Sequence, residues 1–244
     1  MTLWLRNYTR EMAKKNLDIR GGLGVQVFEY LVGLARVPDG KTPQEHYEKI
    51  VCNIGGGENI IDHSRTSWLD KVFDLDLPYE TSKGVSKQHA WLTLNFQQIV
   101  QKDIVNQVRL KQDVIPNGYK ILHIRGRDRS LVAPVDYLNL AEEIGSDLKI
   151  LTNEPKIAQG IIDTLGYGED ISSDSVTDWY TCVGAKEIHG GLSGFTISAM
   201  LFDPEKVYRV FSKENSKGVH QVADELYDSL EVFRESYFRN MEWL

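Results

Sequence analysis

The stretch that decides the fold is YKILHIRGRDRS, residues 119–130. Its first half is a short apolar run typical of a buried strand, and its second half is a turn rich in arginine. Ligands of open α/β sheets bind outside the carboxyl ends of the strands. The segment therefore predicts a parallel sheet with an anion-binding edge.

Further apolar runs follow this stretch at intervals typical of βα units. They are LKILTNE, KEIHGG and KVYRVFS, and the segments between them have the period of helices, at 135–144 and 157–165. A last apolar stripe predicts a closing helix and consists of Val222, Leu226, Leu230, Phe233 and Tyr237. We expect residues 116–244 to form a Rossmann-like domain.

The first half of the chain gives a similar but weaker pattern. A strand at 17–20 runs into a glycine turn and a helix, and a second strand is expected at 49–54. A long helix is predicted over 91–110. The turn-rich residues 112–118 mark the boundary, so residues 1–115 are expected to form a second, smaller α/β domain.

Composition excludes several classes of protein. Of the 244 residues, 41% are hydrophobic and 26% are charged, which is ordinary for a globular chain. The formal charge of −7 argues against a general nucleic-acid binder. No apolar run approaches the roughly 20 residues of a membrane span. The charged N-terminus lacks the apolar core of a secretory signal, which predicts a cytoplasmic protein without an integral membrane segment.

The two cysteines, Cys52 and Cys182, lie far apart and lack CxxC spacing. Neither a zinc cluster nor a disulfide framework is expected, and two partly buried thiols are the simpler interpretation.

The first candidate site is HIRGRDRS, residues 123–130. Alternation along a strand places His123 and Arg125 on one face. An arginine fork matches a phosphate bidentately and keeps its charge, which suits a diphosphate leaving group. The alternative is that Arg125, Arg127 and Arg129 form surface ion pairs with acids such as Asp128 and Asp136.

The second candidate is GGLSGFTISAMLF, residues 190–202. A glycine-rich turn before a helix leaves free N–H groups at the helix start, and Ser193 and Thr196 add hydroxyl groups. This composition is typical of a phosphate cradle. An ordinary helix N-cap with a tight turn would give the same pattern without a ligand.

The third candidate is GGLGVQVFEYLVGLA, residues 21–35. Gly22 and Gly24 permit a close backbone approach, and Gln26 is available as a polar contact. The turn is neither a GxGxxG dinucleotide fingerprint nor a Walker loop.

Taken together and in their order along the chain, the three segments resemble the superfamily of α1,2-, α1,6- and protein O-fucosyltransferases. The family's GGxGNQ turn is matched by GGLGVQ, its HxRxxD strand by His123, Arg125 and Asp128, and its SSFS or SSFT turn by SGFT at 193–196. Asp178 matches an acidic residue before that turn, and Thr152, Asn153 and Glu154 stand for an (S/T)DD-type loop. The resemblance spans about Leu17 to Phe202.

The resemblance implies a GT-B fold, in which two Rossmann-like domains face a cleft, with a reduced N-terminal domain here. It implies that Arg125 neutralises the donor β-phosphate and that His123 and Asp178 lie by the nucleoside. The implied donor-binding set is Gly22, Gly24, Gln26, His123, Arg125, Asn153, Glu154, Asp178, Ser193, Gly194, Phe195 and Thr196. Departures are Val25 in place of Asn and Gly194 in place of the second Ser.

We therefore expect an inverting glycosyltransferase that uses no metal ion and no cofactor besides its nucleotide-sugar donor. GDP-fucose is the first choice of donor, another GDP- or UDP-linked sugar is possible, and the acceptor is a glycan or other hydroxyl compound. The catalytic residues expected are Arg125, Asp128 and Glu29, although the general base stays open among Glu29, Asp62, His63 and Asp128. The acidic DLD at 74–76 precedes a proline and is expected at the surface rather than at a metal.

Two other interpretations of the function stay open. A noncatalytic nucleotide- or glycan-binding protein on the same scaffold is favoured by Val25 and by the reduced first half. A Rossmann-type oxidoreductase or methyltransferase is suggested by the glycine turn at Gly21, but the acidic ribose-binding partner of that turn is missing.

Overall fold

The computed structural model describes residues 14–54, 66–83, 93–124, 132–191, 193–212, 230–231, 234 and 237–244. Within these residues the strands form two sheets, and every pairing in them is parallel. The prediction of an α/β protein with parallel sheets is confirmed.

The first sheet has three strands in the order β1-β2-β3. They are β1 (Lys15–Arg20), β2 (Tyr47–Ile54) and β3 (Tyr79–Lys83). The helices of this half are α1 (Leu23–Ala35), α2 (Pro43–His46), α3 (Leu69–Val72) and α4 (Thr93–Gln101), followed by a 3-10 helix at Ile104–Gln107. Helix α1 connects β1 to β2, as parallel pairing requires.

The second sheet has six strands. Its elements in chain order are β4 (Lys120–Ile124), α5 (Pro134–Ile144), β5 (Leu148–Thr152), α6 (Pro155–Leu165), β6 (Glu169–Asp170), α7 (Ser175–Gly184), β7 (Glu187–Gly190), α8 (Gly194–Met200), β8 (Val207–Val210) and β9 (Met241–Trp243). Proline at the first position of α5 and of α6 suits a helix start, because that N–H has no partner in the helix.

The spatial order of this sheet is β6-β5-β4-β7-β8-β9. Counted from β4 as the first strand, it is 3-2-1-4-5-6, the order of the Rossmann fold. The chain builds outward from β4 in one direction through β5 and β6, and then returns to the other side of β4 with β7. The junction of β4 and β7 is therefore the topological switch point of the sheet.

The two faces of the six-stranded sheet are covered by different helices. Alternate side chains such as Ile121, Ile188 and Tyr208 belong to a core with α1, α7 and α8. Their neighbours Leu122 and Phe211 belong to a second core with α5 and α6. Such coverage of both faces explains why the central strands β4 and β5 are largely apolar.

The first of these cores continues into the three-stranded sheet. Trp179 of α7 packs edge-on against Phe73, with ring centroids 6.5 Å apart. The hydroxyl of Tyr180 donates a hydrogen bond to the carbonyl of Val72 at 2.8 Å. All strands of the first sheet precede residue 116 and all strands of the second follow it, while the core joins both. The division into domains at 115/116 stays a prediction.

Several sequence-based predictions of elements need correction. The single helix predicted over 91–110 is wrong, because α4 ends at Gln101 and Asp103 takes a left-handed conformation with φ of 51°. The strands β3, β6 and β9 were not predicted. In the predicted closing helix, Leu230 is helical and buried, Tyr237 lies in a turn, and Val222, Leu226 and Phe233 lie outside the described residues. No helix in the described ranges is long and apolar enough to cross a membrane.

Candidate functional site

The candidate site lies at the switch point of the six-stranded sheet. Strand β4 ends at Ile124, directly before the predicted Arg125, and β7 ends at Gly190, directly before the turn at Ser193. In open α/β sheets the crevice at this junction, outside the carboxyl ends of the strands, is where ligands bind. Two of the three segments selected from the sequence thus follow the two strands that flank the switch point.

The backbones of β4 and β7 approach closely at this edge. Gly190 has a φ of +116°, and a Cβ there would lie 2.4 Å from the carbonyl oxygen of His123. The N–H of Gly191 donates to the same oxygen at 3.3 Å. Only glycine fits such a conformation and such a contact. The glycine therefore fixes the turn that leads to Ser193 against the end of β4.

Ser193 and Thr196 form the start of α8. Ser193 Oγ accepts a hydrogen bond from the N–H of Thr196 at 3.1 Å, and Thr196 Oγ1 accepts one from the N–H of Ser193 at 3.1 Å. This reciprocal pair is a capping box, and both side chains are buried. The N-cap alternative is thus observed, whereas contact of these hydroxyl groups with a diphosphate stays a prediction.

His123 is covered by Phe195 of the same helix start. The two rings are stacked, with centroids 5.7 Å apart and an angle of 11° between their planes. His123 shares its sheet face with Ile121, which points into the core beneath α8. The two residues were both expected near the donor, and the structure brings them together in one aromatic contact.

The glycine turn of the first sheet reaches the same place. A Cβ on Gly24, in the first turn of α1, would lie 2.4 Å from the carbonyl oxygen of Gly194 and from the Cα of Phe195. The starts of α1 and α8 thus touch backbone to backbone, and Gly22 is the N-cap of α1. This contact brings together the second and third of the predicted segments.

The side chain of Gln26 forms hydrogen bonds with backbone groups of the protein itself. Its side-chain amide donates to the carbonyls of Gly21 at 2.7 Å and Thr66 at 2.8 Å, and its oxygen accepts from the N–H of Trp68 at 2.9 Å. The side chain is 0% exposed. These bonds tie residues 66–68 to the glycine turn, and a direct donor contact by Gln26 would require breaking them.

Glu29 lies beside the carboxyl end of β1. Its carboxylate accepts a hydrogen bond from the N–H of Arg20 at 2.6 Å and one from Arg20 Nε at 3.4 Å. Burial raises the pKa of Glu29 to about 7, against the opposing effect of Arg20. A carboxyl group with this pKa can accept a proton near neutral pH, which is what a general base requires.

The acidic residues on the other side of the switch point follow β5 and β6. Asp178, in the first turn of α7, accepts a hydrogen bond from the N–H of Ser173 at 2.8 Å. Burial, together with the nearby carboxylates of Asp174 and Asp170, raises the pKa of Asp178 to about 6. Ser172 Oγ accepts from the N–H of Thr152, which joins this segment to the end of β5.

Asn153 and Glu154 follow β5 directly, at the same edge of the sheet. The N–H of Glu154 donates to Thr152 Oγ1 at 2.9 Å, and Glu154 is the N-cap residue of α6. Asn153, Glu154 and Asp178 are thus placed on the β5 side of the switch point, while Ser193 lies on the β7 side.

A polar cluster that the sequence did not reveal lies under residues 66–70. Ser67 Oγ donates to Asp70 Oδ1 at 3.1 Å and is hydrogen-bonded to the hydroxyl of Tyr79. Cys52, which is buried, lies beside this cluster, and burial raises the pKa of its thiol. Cys52 and Cys182 are both free thiols, and both are fully buried rather than partly buried as expected from the sequence.

Four predicted residues, Arg125, Asp128, Asp62 and His63, lie outside the described residues, as do Arg127 and Arg129. Within the described ranges no group of three or more His, Cys, Asp or Glu side chains is placed to hold a metal ion. The independence from metal stays a prediction.

Comparison of the chain with protein-family models, with curated proteins and with solved structures finds no match in any of the three.

Proposed function

We propose that this protein is an inverting, metal-independent glycosyltransferase that takes a nucleotide-sugar donor, with GDP-fucose as the first choice. The observation that carries the proposal is the switch point. The segments expected to bind the diphosphate, after β4 and after β7, flank the one junction in this sheet where a ligand crevice is expected.

We further propose a GT-B-like arrangement, in which the two sheets direct their carboxyl edges towards a common cleft. Its support is the contact of α1 with α8 at Gly24 and Gly194. Helix α1 begins just after the carboxyl end of β1, and α8 begins just after the carboxyl end of β7. Contact between the two helix starts brings the corresponding strand ends near each other.

The proposed reaction is a direct displacement. The acceptor hydroxyl oxygen forms a bond to the anomeric carbon while the bond from that carbon to the diphosphate oxygen breaks, and the electron pair leaves with the diphosphate. Arg125 neutralises the charge that develops on the leaving group. Glu29 takes the proton of the acceptor hydroxyl. Its raised pKa supports this choice. The other candidates, Asp62, His63 and Asp128, lie outside the described residues.

Asp178 is the proposed contact to the nucleoside. A carboxylate can accept hydrogen bonds from two adjacent N–H donors, such as those on one edge of guanine. Because the pKa of Asp178 is raised to about 6, we expect guanine nucleotides to bind more weakly below that pH.

Ligand binding is tested first, by thermal shift with GDP, UDP, ADP and dTDP, each with and without EDTA. A nucleotide at 100 times its Kd stabilises the folded state by about 2.7 kcal/mol. We expect GDP to give the largest shift and EDTA to leave it unchanged. A shift that EDTA abolishes would contradict the metal-independent mechanism.

Turnover is tested next, with a panel of nucleotide sugars and Arg125→Ala. We expect this variant to lose both transfer and the stabilisation by GDP. The matched control is Arg109→Ala, because Arg109 is an exposed arginine that pairs with Asp76 and belongs to none of the predicted site segments. Full activity of Arg125→Ala would refute the proposed role of Arg125 in neutralising the leaving diphosphate. Binding of GDP without transfer or hydrolysis of any donor would favour the noncatalytic binding protein.

A second candidate function is favoured by the strand order. The order 3-2-1-4-5-6 is that of dinucleotide-binding domains, in which an acidic residue near the end of the second strand binds the ribose. Glu154, just after β5, stands near that place. The segment after β4 carries only one glycine, Gly126, in HIRGRDRS, unlike the dinucleotide fingerprint. Calorimetry with NAD and with S-adenosylmethionine tests this candidate, and binding of either would favour an oxidoreductase or a methyltransferase.

A further inference from the structure

Arg20, a residue that none of the sequence motifs includes, makes two contacts with the proposed base. As the last residue of β1, it donates its backbone N–H to Glu29 Oε2 at 2.6 Å and its side-chain Nε to Oε1 at 3.4 Å. The two side chains are only 14% and 17% exposed. One residue thus reaches both oxygens of the carboxylate from one direction.

The pair is placed at the entrance of the glycine turn. Arg20 precedes Gly21, and Gly24, in the first turn of α1, touches the start of α8. Arg20 and Glu29 therefore belong to the same strand, turn and helix that carry the contact between α1 and α8. The exposed pair of Arg109 with Asp76 lies outside this unit.

We propose that Arg20 is a positioning residue for the reaction: it holds the Glu29 carboxylate in place at the carboxyl edge of the first sheet and keeps it ionised to act as a base. The inference rests on the proposed function, since it takes Glu29 as the group that accepts the proton.

The electrostatics of the site agree with this role. Burial favours the protonated form of Glu29, whereas the charge and hydrogen bonds of Arg20 favour the ionised form. Arg36, on the same helix as Glu29, acts in the same direction more weakly. Cys52 of β2 also faces this carboxyl group, and burial keeps its thiol protonated by raising its pKa. Among the described residues, Arg20 is thus the main group that opposes the effect of burial.

The test compares Arg20→Met and Arg20→Lys with the wild-type protein. Both variants keep the backbone N–H that bonds to Glu29, so the turn retains one of its two contacts. In Arg20→Met we expect the acid limb of the pH profile of kcat to move up by about one unit, which is about a tenfold loss of kcat at pH 6 that is recovered at high pH. Arg20→Lys keeps the charge without the planar fork, so a smaller shift is expected.

A second measurement does not depend on turnover. Titration of the Glu29 carboxyl carbon by NMR should give a higher pKa in Arg20→Met than in the wild-type protein, and Glu29→Gln identifies the signal. An unchanged titration would overturn the inference. So would an Arg20→Met variant whose kcat falls by the same factor at every pH, because that result would indicate a structural role alone.

Failure of the proposed function gives a different result. If Glu29→Gln retained full transfer activity, Glu29 would not be the base. The positioning role of Arg20 in the reaction would then be refuted as well. The NMR titration would still decide whether Arg20 controls ionisation of the carboxyl group.

Discussion

The carboxyl edges of the two sheets differ in how their polar side chains are partnered. At the edge of the three-stranded sheet, Gln26 bonds to residues 40 and 42 positions further along the chain. At the edge of the six-stranded sheet, Ser193 and Thr196 bond to each other within one helical turn. Gln26 is therefore held by long-range bonds, whereas the hydroxyl groups of Ser193 and Thr196 are held by local ones.

This difference indicates where fold and function can be separated by mutation. Substitutions at the first edge remove bonds that join distant segments, and we expect them to lower stability. Substitutions of Ser193 or Thr196 remove only local bonds, and we expect them to affect ligand binding more than folding. The following predictions test this comparison from the largest expected effect to the smallest.

Gly24→Ala should have the largest effect on stability. The added Cβ would lie 2.4 Å from backbone atoms of Gly194 and Phe195, so one helix start has to move away from the other. Overpacking of this kind lowers the free energy of unfolding by about 3 kcal/mol. Urea denaturation measures the change. Gly160→Ala is the matched control, because nothing lies within 4 Å of a Cβ at that helical position, and it should be slightly stabilising. Equal stability of the two variants would contradict the contact between α1 and α8.

Glu29→Gln should change the pH dependence of stability. The folded-state pKa of about 7 lies above the ordinary value of 4.5 for a glutamate, so the folded state binds more protons between these values. The contribution of Glu29 to stability is present below about pH 4.5 and is lost as the pH rises through about 7. The variant should lack this loss, which amounts to about 3 kcal/mol between pH 4.5 and pH 8. Parallel stability curves for the two proteins would refute the raised pKa.

Gln26→Leu should lower stability by a smaller amount. The substitution leaves the carbonyls of Gly21 and Thr66 and the N–H of Trp68 without the partner that Gln26 provides. We expect a loss of about 2 kcal/mol in the free energy of unfolding. Gln98→Leu serves as the control, because Gln98 is exposed on α4 and a surface change should stay within about 0.5 kcal/mol. If both variants were equally stable, the three bonds of Gln26 would have no measurable role.

Ser193→Ala should have the smallest effect on folding, a loss of about 1 kcal/mol from removal of the N-cap. If the hydroxyl also contacts a diphosphate, the affinity for GDP should fall by a larger factor than stability alone explains. Calorimetric titration with GDP separates the two roles. An unchanged GDP affinity would leave Ser193 with its cap alone.

Much of the six-stranded sheet could be predicted from its apolar runs, because strands covered on both faces are continuously hydrophobic. The strand β3 was missed because YETSK is polar and mostly exposed, and β6 because it has only two residues. The break after α4 depends on the left-handed conformation of Asp103, which the apolar period does not show.

The resemblance grouped Gly24, Gly194 and Phe195 in one donor-binding set, and the structure brings these three residues into contact. That they bind a donor stays a prediction. The role of Gln26 could not be predicted, since its partners are backbone atoms of residues far along the chain. The pairing of Arg20 with Glu29 likewise depends on the packing of α1 against β1, which no short motif encodes.

The core that joins the two sheets has a consequence for how the chain can be divided. Trp179 and Tyr180 lie on one side of residue 116, and their partners Phe73 and Val72 lie on the other. A gene split at this point would produce two polypeptides, each of which exposes to solvent an apolar surface that is buried in the intact protein. We expect each fragment to precipitate when expressed by itself and the two to reassemble when they are expressed together.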